Sequence, residues 1–142
     1  MKIPVILSVT GVQHYQEQDP ETIELVSEGL LEQTGNGWLL TYEESELTGL
    51  AGVTTTFQVE PGCVTLSRTG PLSSTMVFRE GEFHESLYRM EFGALLLTVC
   101  ASKVQWNITP EGGTIDLTYA IEIEQSAAGL IDYHLNIQRK TE

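Results

Sequence analysis

The sequence predicts an all-β fold: a single antiparallel, mostly meander β-barrel of about eight to ten strands. Three observations carry that expectation. Turn signals recur along the chain at Thr34-Gly-Asn-Gly37, Thr48-Gly-Leu-Ala-Gly52, Glu60-Pro-Gly62, Thr69-Gly-Pro71, Glu80-Gly81, Phe92-Gly93, Pro110-Glu-Gly-Gly113 and Ala128-Gly129. Many of the gaps fall near the ~8–12 residues expected between successive antiparallel strands. Between the turns apolar side chains alternate with polar ones, the period of a sheet wet on one face, and no segment shows convincing helical periodicity. Short connections favour a closed meander over a sandwich with long crossovers, and 142 residues suffice for one domain, 1–142.

Taken in order, Met1-Lys-Ile-Pro-Val-Ile-Leu-Ser-Val-Thr-Gly reads as a first strand, because its apolar stretch is short and no small-x-small cleavage site follows. From Gly11 to Glu21 the chain is polar and turn-rich, and an exposed, mobile loop is expected there. Inward faces are then assigned to Trp38, Leu40 and Tyr42; to Val53, Thr55, Phe57 and Val59; and to Val64 and Leu66. The stretch Arg68–Gly93 organises the rest. In it Met76 and Phe78 share a core face opposite Thr75, Val77 and Arg79, and Arg-Glu-Gly-Glu at 79–82 is a hairpin signal leading to Leu87, Tyr88 and Met90. Residues 94–108 exceed a usual strand, and their apolar parity moves from Leu95, Leu97 and Val99 to Val104, Trp106 and Ile108, which calls for a bulge near Ala101–Lys103. Two alternating runs close the chain: Ile115, Leu117, Tyr119, Ile121, Ile123, and then Ile131, Tyr133, Leu135, Ile137.

The order Arg68-x-Gly70, Met76-x-Phe78-x-x-Gly81, Tyr88 with Phe92-Gly93, then Gly113-x-Ile115-x-Leu117-x-Tyr119 before a final strand at Gly129 resembles the bacterial DUF1934 (YwiB-like) family over most of the chain. The resemblance implies a small lipocalin-like, calycin-type barrel from an uncharacterised group, and it implies no activity.

Charge narrows the function classes. The formal net charge is −13, and no lysine or arginine lies between Lys2 and Arg68, a span that holds Glu17, Asp19, Glu21, Glu24, Glu28, Glu32, Glu43, Glu44, Glu46 and Glu60. A binder of phosphate backbones or of an anionic membrane needs a basic stripe, so neither nucleic acid nor membrane is an expected partner. No apolar run approaches the ~20 residues that span a bilayer. Cys63 and Cys100 stand in separate strand-like runs without metal or redox spacing, which reads as two free thiols in a cytoplasmic protein.

Chemistry-bearing residues mostly have bland readings. His14, His84 and His134 lack ligand spacing, so no metal and no cofactor is expected; Asp132 and His134 share a strand face without a nucleophile beside them; Glu122 and Glu124 alternate with isoleucines as an exposed face does. With no nucleophile elbow and no phosphate-cradling loop, the protein is expected not to be an enzyme. One constellation departs from this. Glu44 continues the inward parity of Trp38, Leu40 and Tyr42, Arg68 continues that of Val64 and Leu66, and Tyr88 joins them by its own parity. Either Glu44 and Arg68 form a structural ion pair at a barrel mouth, or Tyr42, Glu44, Arg68 and Tyr88 anchor a ligand's head group. The first functional expectation is therefore a small amphiphilic or apolar ligand inside the barrel; the second is a structural or interaction protein with a filled barrel whose acidic surface meets a protein partner.

Overall fold

The computed structural model describes residues 2–14, 19, 21–44, 52–90, 93–124 and 126–140. These form ten antiparallel strands: β1 (Lys2–His14), β2 (Glu21–Gln33), β3 (Trp38–Glu43), β4 (Thr54–Glu60), β5 (Cys63–Thr69), β6 (Ser74–Phe78), β7 (Phe83–Met90), β8 (Gly93–Thr109), β9 (Gly112–Ile123) and β10 (Ser126–Arg139). They make one sheet in the order β6-β5-β4-β3-β2-β1-β10-β9-β8-β7, curled into a nearly closed barrel. Every neighbour is consecutive in sequence except β1 and β10, which pair from Val5↔Arg139 to His14↔Leu130 and so place both chain ends in the middle of the sheet. Among the described residues, no helix is long and apolar enough to cross a membrane.

The sheet's edges are β6 and β7, and this corrects the hairpin expected at Glu80-Gly81. The turn forms, with Gly81 at φ 78°, but the two strands it joins share no ladder. They are tied at one end by the reciprocal bonds of Ser73 and Arg89, each 2.8 Å, and at the other Gly81 N–H donates to the Ala101 carbonyl of β8 at 2.8 Å. The expected bulge lies where Gly81 docks: the β8–β9 register shifts between Ala101 and Lys103. Glu80 completes the junction, its Oε1 accepting from Val104 N–H at 2.9 Å. The two β8 groups met by the turn are thus paired although β7 has ended.

Three further expectations change. Residues 11–14 belong to β1 and pair with β10, so the first connection is shorter than the sequence suggests; residues 15–18 and 20 fall outside the described set. Ala128-Gly129 is no turn but a second register shift, within β10, and the chain reverses between Ile123 and Ser126 with Glu124 at φ 52°. Glu124 is accordingly a turn residue, and it accepts a hydrogen bond from Leu96 N–H. The turn signals at 48–51 and at Phe92 lie outside the described residues.

The inward parities hold. Phe57, Phe78, Val5, Leu7, Leu31, Val64, Ile115 and Leu135 are fully buried, and the buried set runs through all of β1 to β6 and β8 to β10. Trp38, Val59, Val64, Phe78, Ile108, Ile115 and Ile137 fill one half of the barrel, and Trp106 docks there by donating Nε1–H to the Glu60 carbonyl at 2.9 Å. At this end Gly112 is required by geometry: its φ is 129°, and a Cβ would lie 2.2 Å from the Ile137 carbonyl oxygen. Cys63 is buried, Cys100 is half-buried, and both are free thiols.

Candidate functional site

The other half of the barrel is not filled. An aromatic layer forms its floor: Phe57 lies 6.4 Å from Tyr42 in a stacked arrangement and 5.8 Å from Tyr133, and Phe78 packs 4.6 Å from Tyr119. Beyond these rings is a cavity of about 510 Å³. Val9, Leu25, Met76, Leu97, Ile121 and Ile131 give it apolar walls, and Tyr42, Glu44, Arg68, Tyr88, Tyr119 and Tyr133 supply its polar groups. An interior of eight strands is just wide enough for side chains to fill or for one small ligand. Ten strands widen it, and the large rings of the middle layer leave the space beyond them vacant.

All four site residues expected from the sequence line this one cavity. Tyr42 ends β3 in its inward parity, and Glu44 follows one inward step later, its backbone N–H donating to the Val53 carbonyl at 2.8 Å. Its side chain is 2% exposed and faces Arg68, whose Nε is 3.9 Å from Glu44 Oε2. Thr55, fully buried on β4, donates its hydroxyl to the same carboxylate oxygen at 2.6 Å. Arg68 stands on β5 across from Thr55 on one side and Ser74 on the other. Its Nε is buried without a hydrogen bond, and so is Ser74 Oγ. The 3.9 Å separation makes the Arg68–Glu44 contact an ion pair and not a hydrogen bond.

Sequence reasoning assigned Tyr119 and Tyr133 to the inner face without placing them in the site. The signal was present: a tyrosine in an inward parity carries a hydroxyl that needs a partner or a space. The Tyr133 hydroxyl meets that of Tyr42 at 3.4 Å. Burial pushes the ionisation of Tyr42, Tyr119 and Tyr133 upward, desolvation being the largest cause for each, so these phenols keep their protons at neutral pH. Thr55, which holds Glu44 in place, was also missed, since a small hydroxyl at an inward position looks like any core threonine.

The histidines are elsewhere. Asp132 and His134 do not pair with each other: His14 Nε2 lies 3.2 Å from Asp132 Oδ2, Thr118 donates to Asp132 Oδ1, and His134 pairs with Asp116. These contacts form a polar ladder across the outer faces of β1, β10 and β9. Among the described residues, no group of three or more histidine, cysteine, aspartate or glutamate side chains is placed to hold a metal ion.

Comparison with known proteins fits this architecture. Residues 7–137 match the family described as "Domain of unknown function (DUF1934)". The chain belongs to the DUF1934 family. The chain is similar to a solved structure, that of the ywiB protein from Bacillus subtilis, at a TM-score of 0.89 and 25% sequence identity, covering 99% of this chain and 94% of that one. No curated protein matches the sequence. Family membership therefore establishes the barrel and leaves its activity to be argued from the site.

Proposed function

We propose that this DUF1934 protein is a non-enzymatic, lipocalin-like binding protein that holds one small amphiphilic ligand in the open half of its barrel. The observation that carries this reading is the cavity of about 510 Å³, within the ~300–1,000 Å³ range of small-molecule sites, with apolar walls and a few convergent polar groups. The apolar part of the ligand packs against Met76, Leu97, Ile121 and Ile131, and its head group meets Tyr42, Glu44, Arg68 and Tyr88. Among the described residues that line the cavity there is no nucleophile with an adjacent base, which supports binding over catalysis. The acidity of the chain and the two free thiols support a cytoplasmic protein that avoids nucleic acid and anionic membranes.

Titration with Nile red, a neutral apolar fluorophore, tests the reading. Saturable enhancement at about one probe per barrel is expected, and its absence in folded protein refutes it. A second reading, a protein partner met by the outer surface, is favoured by Ile6, Val26 and Leu30, which are exposed on the outer face of β1 and β2 at 38%, 70% and 41%. Binding of a partner by that face would survive a blocked cavity.

A further inference from the structure

We propose that the head group taken by the cavity is a neutral oxygen acceptor, the carbonyl of a ketone, ester or amide, and that Glu44 keeps carboxylates out. This rests on the cavity being a ligand site and adds the chemical class of the ligand. The donors and acceptors of the cavity wall are unevenly met. Arg68 offers five N–H groups and makes no hydrogen bond among the described residues. Ser74, directly across from it on β6 but outside the cavity's lining, has a buried hydroxyl with no partner. Between Tyr42 and Tyr133 only one hydroxyl proton can lie in the 3.4 Å contact, so the other is left over, and the hydroxyl of Tyr119 makes no hydrogen bond among the described residues. The phenols remain donors at neutral pH because burial holds their protons on.

On the acceptor side, Glu44 Oε2 is already occupied by Thr55 at 2.6 Å and faces Arg68. The wall is thus rich in unmet donors. It is also closed to a further negative charge, since Arg68 is balanced by Glu44, and Glu21 adds a second carboxylate to the lining. A ligand carboxylate would satisfy the donors but would stand beside Glu44 as an unbalanced charge in a desolvated site. An ammonium would place a like charge beside Arg68 and would leave that guanidinium and the phenols without an acceptor. A carbonyl oxygen accepts from Arg68 and a phenol and adds no charge.

Competition against cavity-bound Nile red, using methyl octyl ketone, decanoate and decylammonium, tests this on the wild-type protein. The ketone is expected to displace the probe at a concentration at least about tenfold below either charged amphiphile. E44Q, which keeps size and removes charge, is expected to narrow the gap between ketone and decanoate. A ketone that displaces no better than decanoate or decylammonium overturns the proposal while leaving the cavity a ligand site. Failure of Nile red itself to bind removes the ligand site and this proposal together. If E44Q does not fold, the wild-type ranking alone decides.

Discussion

At the scale of single residues, the cavity is governed by one carboxylate, Glu44, that is 2% exposed, and by the two groups that compensate it. Taking a carboxylate out of water is costly unless it is paired and hydrogen-bonded, and here Arg68 supplies the charge while Thr55 supplies the hydrogen bond. Losing one partner of a dry ion pair costs about 3–5 kcal/mol. Arg68 is 17% exposed toward a roomy cavity, so Arg68→Ala is expected at the low end of that range, and Glu44→Ala with the double variant should be strongly non-additive in denaturant titrations. Two small, additive effects would mean that both side chains are solvated. The tyrosines give a second prediction. Their folded ionisation lies above the value of about 10 for an exposed phenol. Below that pH both folded and unfolded states hold the protons and stability is fully present. Above it the unfolded chain releases them first, so stability falls as pH rises. Phenolate absorbance of Tyr42, Tyr119 and Tyr133 should therefore appear together with unfolding above about pH 10, and Tyr119→Phe should move that transition to higher pH.

At the scale of elements, the strands with clean alternation were legible: β3 to β6, β9 and β10 bury or half-bury the residues whose period of two marks them, except Ile123, which is exposed at the end of β9. The bulge in β8 was legible for the same reason, because an extra residue must be absorbed when the apolar parity of one strand changes from Leu97 and Val99 to Val104 and Ile108. β2 was not, because Val26 and Leu30 are apolar on its outer face while Ser27 and Gly29 lie on its inner one, and the mixture erases the alternation. The seam between β6 and β7 was not legible either. A glycine turn between two β-forming runs reads as a hairpin locally, and whether the runs pair depends on where the barrel closes. What decides it is Glu80, whose side chain and neighbouring Gly81 amide bind β8 at its bulge. Glu80→Ala leaves Val104 N–H unmatched and is expected to cost about 1–3 kcal/mol. Glu80→Gln, which retains a carbonyl acceptor, should recover most of that loss in the same thermal or denaturant measurement. Equal stability of the alanine variant and wild type would show that the junction contributes nothing to closure.

At the scale of the whole molecule, the barrel divides into a packed half and a half with a cavity, and the aromatic layer of Tyr42, Phe57, Tyr133, Phe78 and Tyr119 separates them. The four expected site residues could be read from parity because inward direction is a local property of a strand. The vacant volume could not, since it depends on strand number and on how rings from five different strands meet. The division between halves gives the proposed site a location that is open to direct measurement. In protein with isotopically labelled methyl groups, titration with methyl octyl ketone should shift the NMR signals of Met76, Leu97, Ile121 and Ile131 saturably. Ile108, Ile115 and Ile137, packed in the other half, should barely move. Shifts confined to the outer-face methyls of Ile6, Val26 and Leu30, or no shifts at all at saturating ligand, would contradict a ligand site inside the barrel.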